Sequence, residues 1–213
     1  MSNPGMQALE KFGIIPIDYA TLVTAIGDYK SPRDKVCSME KQGDLIRLKK
    51  GLFVVATKIH HQLLSNELIA NHLYGPSYIS LESALSFYGL IPERVHVIRS
   101  MTLKRSIQCS TPLGNFDYVT TSGDYFKIGI RQEIVNNQYA YLIASPEKAL
   151  CDMIIATSGL KLQSVKAMRI YLEEDLKMDF SAVETYDKEI IRQCIEAGRK
   201  RTELTYLYKF MNQ

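Results

Sequence analysis

The sequence predicts an α+β protein: a winged helix-turn-helix over residues 1–59, then a mixed α/β domain over 60–213 with a helical final third. Three observations predict it. Two short helix patterns and an apolar–basic–apolar hairpin follow one another near the N-terminus. Short strand patterns separated by turn signals fill the middle. From Lys161 onward the apolar spacing is helical, with one stripe at Ile190, Ile191, Cys194 and Ile195 and another at Leu204, Leu207, Tyr208 and Met211.

In the head, Ile17 to Ile26 reads as a helix with apolar Leu22, Val23 and Ile26, and Gly27-Asp28-Tyr29-Lys30 as a turn. Ser31-Pro32-Arg33-Asp34 opens a second helix, with serine at the cap, proline at the first helical position and an acid three residues after the cap. Gly43 suits a left-handed end. Leu45 to Leu48, the basic turn Lys49-Lys50-Gly51 and Leu52 to Val55 then form a hairpin. The boundary at 57–64 is soft, because no Gly/Pro linker marks it.

In the body, Ser65 to Leu73 and Ser80 to Tyr88 read as helices that begin on a serine with an early acid, the second stopped by Gly89. Val95–Thr102, Phe116–Thr121, Tyr125–Ile130 and Tyr139–Ile143 read as strands. Pro112 to Asn115, Ser122-Gly123-Asp124 and Asn136-Asn137 separate the later ones as turns. Ser145-Pro146-Glu147 opens another capped helix through Ala149, Leu150, Met153 and Ile154.

Composition bounds the partners. Apolar residues make up 46% and charged residues 23%, an ordinary globular balance, and the net charge is only +3. Charge is unevenly placed. Residues 1–59 carry 9 bases and 6 acids, residues 60–191 carry 12 and 15, and residues 192–213 carry 5 and 2. Any polyanion surface must therefore be local. No apolar run spans a bilayer, so no membrane partner is expected. The start Met1-Ser2-Asn3-Pro4-Gly5 lacks a signal-peptide pattern, so the expected location is cytoplasmic. Cys37, Cys109, Cys151 and Cys194 lie far apart and are expected as free thiols, with no metal or other cofactor.

Residues 30–51 alone carry seven bases against three acids, net +4. On the second head helix Pro32, Val36, Met39 and Gly43 share the core side, so Asp34, Cys37, Ser38 and Lys41 face outward, with Arg33 and Lys35 flanking. An exposed helix of short polar and basic side chains suits the major groove of double-stranded DNA. The candidate DNA-contacting residues are Ser31, Arg33, Lys35, Ser38 and Lys41 on the helix, with Arg47, Lys49 and Lys50 serving the hairpin. A solvated basic surface is the competing reading. Cys37 reads as a small helical residue; a redox role needs its thiol activated by Arg33 and Lys41.

No Gly-rich phosphate loop, nucleophile elbow or zinc-protease motif occurs. His60-His61 reads as a surface pair, and His72 and His96 as structural. Glu147, Lys148 and Asp152 resemble a nuclease-like acid and lysine cluster, but a first-turn acid and an i,i+4 pair account for them better. The basic tail Arg199-Lys200-Arg201 is either a second phosphate contact, a face for an acidic partner, or a solvated helix end.

Four segments in order resemble AbiEi-type antitoxins of abortive-infection, type IV toxin–antitoxin systems. They are Tyr78 to Leu85 with Tyr88-Gly89-Leu90-Ile91-Pro92; Thr111 to Tyr118; Ile143 to Asp152, where the family has an Ala-x-Pro-Glu-Lys-Ala-Leu-x-Asp helix start; and Leu48 to Phe53, similar to the family's wing, with Phe53 in place of its usual tyrosine. The resemblance covers residues 20–157. It implies a winged helix that binds inverted repeats in its own promoter and represses the operon. It also implies a C-terminal domain that counters a nucleotidyltransferase-like toxin encoded next door, and no catalytic role. The alternatives are a stand-alone transcription factor with a sensing body, and a nuclease using Glu147, Lys148 and Asp152.

Overall fold

The computed structural model describes residues 4–179 and 186–213. It is a mixed α+β fold with two sheets. The first unit runs α1 (Pro4–Glu10), β1 (Ile17–Asp18), α2 (Tyr19–Ile26), α3 (Pro32–Lys41), β2 (Leu45–Lys49) and β3 (Leu52–Val55). Its antiparallel sheet has the order β1-β3-β2, with Ile17 opposite Phe53 and Arg47 opposite Phe53 from the other side. Residues 17–26 are therefore not one helix. Ile17 and Asp18 are spent on the sheet, and the Asp18 carboxylate accepts from the Thr21 amide at 2.9 Å, so α2 starts only at Tyr19. α3 keeps proline in its first turn, but Ser31 does not cap it; its hydroxyl donates to the Asp34 carboxylate at 2.6 Å. Gly43, at φ +70°, ends α3 as expected, with the Asp44 amide donating back to the Met39 carbonyl.

After α4 (Thr57–His60) and α5 (Asn66–Leu73) come β4 (Ser77–Ile79), α6 (Leu81–Phe87), β5 (Val97–Thr102), β6 (Ile107–Thr111), β7 (Gly114–Thr120), α7 (Gly123–Phe126), β8 (Ile130–Val135) and β9 (Tyr139–Ala144). The six-stranded sheet has the order β6-β7-β5-β4-β9-β8. β4/β9 and β5/β7 are parallel; β4/β5, β6/β7 and β8/β9 are antiparallel. The strand expected over Tyr125–Ile130 is a correction. Ser122-Gly123-Asp124 starts a single helical turn, α7, that sends Tyr125 into the core, and the strand begins only at Ile130.

The chain ends in α8 (Pro146–Ala156), α9 (Val165–Ile170) continuing as a π-helical turn over Tyr171–Asp175, α10 (Lys188–Ala197) and α11 (Arg201–Phe210). Ser145 caps α8 by accepting from the Lys148 amide, and Ser65 caps α5 likewise. Ile191 and Cys194 of α10 and Leu204 and Leu207 of α11 are buried, as the helical spacing predicts.

The hairpin β2–β3 divides its side chains between two apolar clusters. Leu45, Phe53 and Val55 pack with Leu22, Ile26, Val36 and Met39. Leu48 and Val54 point the other way, into the cluster formed by Leu73, Tyr78, Met101, Tyr118 and Leu150. The alternation of a strand covered on both faces produces this split.

Candidate nucleic-acid interface

α3 presents what its spacing dictates. Val36 and Met39 are buried, Arg33, Asp34 and Lys41 are exposed, and Lys35, Cys37 and Ser38 are half-buried. Between this helix and the β2–β3 turn lies a hollow of about 650 Å³ lined by Tyr19, Arg33, Cys37, Arg47, Lys50 and Phe53. Gly51, at φ +80°, closes the turn, and its carbonyl accepts from the Tyr19 amide at 2.9 Å, which pins the start of α2 against the hairpin. Only a residue tolerant of the left-handed region fits that turn without strain.

The eight candidate residues separate into three groups. Arg33, Arg47 and Lys50 converge on the hollow. Ser31, Lys35, Ser38 and Lys41 lie along α3 but do not line it. The Lys35 ammonium sits 5.1 Å from the Tyr29 ring centroid, and the Ser38 hydroxyl accepts from the Gln42 side chain at 3.3 Å. Lys49 turns away: its ammonium donates to the Leu73 carbonyl at the end of α5. Sequence reasoning placed Lys49 beside Lys50 at the tip, but Lys49 is the last residue of β2, just past a bulge in its pairing with β3, whereas Lys50 lies in the turn itself.

Arg47 is not a free cation either. Its Nε donates to Glu40 Oε1 at 2.7 Å and its second nitrogen to Glu40 Oε2, and its guanidinium lies 5.2 Å from the Phe53 ring centroid. The hydrogen bonds to Glu40 push its already high pKa further up. The pair holds a charged fork in a fixed orientation at the edge of the hollow. Tyr19, 38% exposed, is a lining residue that the sequence reading missed because it was taken as part of a longer helix.

Glu147, Lys148 and Asp152 occupy a different place. All three are buried, Lys148 and Asp152 at 0% exposure. The Lys148 ammonium lies 3.2 Å from Asp152 Oδ1, donates to the Tyr125 carbonyl at 2.9 Å and sits 3.0 Å from the Tyr125 ring centroid. Asp152 Oδ2 accepts from the Tyr78 hydroxyl at 3.0 Å and the Ser80 hydroxyl at 2.6 Å. Glu147 Oε1 accepts from the Asp187 amide at 2.9 Å. Burial, together with the Asp152 carboxylate, pushes the Tyr78 phenol far above its usual range. This network ties β4, α6, α7 and α8 together in the interior. Ser80, expected as a helix cap, is instead a donor to Asp152.

The chain matches no protein-family model and no curated protein. A comparison with solved structures finds the crystal structure of the RV2827C protein from Mycobacterium tuberculosis. The likeness has a TM-score of 0.61 at 13% identity and covers 99% of this chain and 76% of that one. At that identity it bears on the fold.

The basic tail is largely engaged within the protein. The Lys200 ammonium donates to the carbonyls of Ile154, at 2.9 Å, and Thr157, closing the end of α8, and Arg201 donates to the Glu196 carbonyl at 2.9 Å. Cations at helix C-termini are stabilising there. Arg199 and Arg201 are exposed and Lys200 is half-buried; Arg199 lines a smaller hollow with Thr121 and Ser122. Among the described residues, no group of three or more His, Cys, Asp or Glu is arranged to hold a metal, and no helix is long and apolar enough to cross a membrane.

Proposed function

We infer that residues 1–59 act as a winged helix-turn-helix that binds double-stranded DNA. In this reading α3 enters the major groove and Lys50 at the hairpin turn meets the adjacent phosphates. The convergence of Arg33, Arg47 and Lys50 on one open hollow beside an exposed helix carries the reading. Arg33 has the reach and bidentate geometry for a guanine edge, and Lys50 that of a point contact to phosphate. Arg47, already held by Glu40, is a positioned positive charge at the groove wall.

The resemblance in sequence to AbiEi-type antitoxins extends the proposal. The protein represses its own operon, and the body counters a nucleotidyltransferase-like toxin encoded beside it. The nuclease alternative finds no favour in the geometry. Glu147, Lys148 and Asp152 are sealed from solvent; Lys148 and Asp152 are engaged by each other, by the Tyr78 and Ser80 hydroxyls and by the Tyr125 carbonyl, and Glu147 by the Asp187 amide.

The test is a salt titration of binding to the DNA upstream of the gene against scrambled DNA of equal length. Tighter, salt-dependent binding to the upstream DNA supports an autoregulator. Equal weak binding to both removes the repressor reading. Co-expression with the neighbouring gene product tests the second half: loss of growth without this protein and rescue with it are expected.

A further inference from the structure

The six-stranded sheet has two edges, and they are treated differently. β6 lies at one edge, against β2 of the first unit. β8 lies at the other, and among the described residues it pairs with β9 alone. Natural edge strands are usually blunted by proline, bulges, charged side chains or a covering element, because unpaired amides and carbonyls invite another strand; the two charges of β8, Arg131 and Glu133, are of opposite sign. β8 has neither proline nor bulge: Ile130 to Val135 pair with Ala144 to Tyr139 in six consecutive steps. Arg131 and Gln132 are exposed, and Ile134 is 58% exposed.

The order of side chains on this edge is self-complementary. Laid antiparallel to a copy of itself about Gln132, the strand puts Arg131 opposite Glu133 and Glu133 opposite Arg131 on one face. On the other face it puts Ile130 opposite Ile134 twice. Strand alternation keeps each of these pairs on a common face, and opposite charges directly across a strand pair are stabilising. Neither Arg131 nor Glu133 forms an ion pair within the chain among the described residues. Strand alternation places both on one side of the sheet, opposite Ile143 and Tyr141 of β9.

We propose that β8 pairs with β8 of a second copy, making a two-fold symmetric dimer with a continuous sheet. The occupant is this chain itself, because the charge order Arg131–Glu133 is met by its own reversal. Such a contact is isologous: each residue pair occurs twice.

The test is sedimentation equilibrium of the full chain over a concentration series, with Arg131→Glu, Glu133→Arg and the double reversal. Each variant is first checked for unchanged circular dichroism and melting. The wild type is expected to dimerise. Each single reversal, which creates two like-charge pairs, should raise the dissociation constant about tenfold. The double reversal, which restores both pairs with swapped signs, should recover it. Hydrogen exchange on the unaltered protein gives an independent reading: amides within 130–135 should slow as the concentration rises through the dimer range. A wild type that is monomeric throughout overturns the proposal. So does a dimer indifferent to both single reversals, or one that the double reversal fails to rescue.

Discussion

Lys49 and Lys50 are adjacent and carry the same charge but face different surroundings, so neutralising each in turn separates the proposed DNA contact from internal attachment. Lys50 lines the hollow with Arg33 and Arg47, whereas the Lys49 ammonium is hydrogen-bonded to the Leu73 carbonyl. If Lys50 meets a phosphate as proposed, Lys50→Met lowers the slope of log K against log salt by ~0.9. Between 50 and 200 mM salt, the affinity lost by the variant should then be about 3.5-fold smaller than that lost by the wild type. The weakening should be similar on upstream and scrambled DNA, since a phosphate carries no sequence. Lys49→Met should leave that slope unchanged. It should instead lower stability by about 1 kcal/mol, the net worth of a charge-assisted hydrogen bond discounted for partial exposure. Fluorescence anisotropy across a salt series reads the first quantity and urea unfolding the second. A Lys49→Met slope that falls as far as that of Lys50→Met would refute the division of roles.

Three further outcomes follow from geometry already described. Asp152→Ala leaves the buried Lys148 ammonium without its carboxylate and the Tyr78 and Ser80 hydroxyls without their acceptor. A loss of about 3–5 kcal/mol in urea unfolding is expected, and Lys148→Met with Asp152→Leu together should cost less than the two single changes summed. In thiol titration with an aromatic disulfide, the half-buried Cys37 and Cys109 should react in the native protein and the buried Cys151 and Cys194 only after unfolding; bound DNA should protect Cys37 alone. The Thr21 amide and hydroxyl hold the Asp18 carboxyl below its usual range. Its contribution is therefore present at neutral pH and lost as pH falls through that lowered value. Asp18→Ala should flatten the acid limb of the stability–pH profile.

In the head, α3 and the β2–β3 hairpin were legible because their signals are local, whereas the strand at Ile17–Asp18 was not. Ser31-Pro32 and Gly43 bracket α3, and Lys49-Lys50-Gly51 marks the turn, each within a few residues. The body was legible where the same chemistry recurs, at Ser65 and Ser145, and misread where a side chain reaches far along the chain. Ser80 resembles a cap in sequence, but its partner Asp152 lies 72 positions away. Tyr125 has strand-like neighbours, yet it sits in a helical turn where its ring and carbonyl meet the ammonium of Lys148, 23 positions away. β6 and β8 escaped notice because exposed polar residues interrupt their apolar alternation, as edge position allows. In the candidate interface, residue types were readable, but directions were not. Whether Arg47 faces Glu40, or Lys49 faces Leu73, depends on elements brought together only by folding.

The β2–β3 hairpin belongs to two cores at once, and this limits what the chain can be cut into. A fragment ending at residue 59 would keep α2 and α3 but bare Leu48 and Val54 to water, an apolar strip on an open sheet. The remainder would lose the same two side chains from its interior. Neither piece is a ready-made cassette that gene fusion could graft onto a new partner, and a proteolytic nick in the 61–64 segment should leave the halves associated. Whatever presses on the body reaches α3 through a shared wall rather than across a tether.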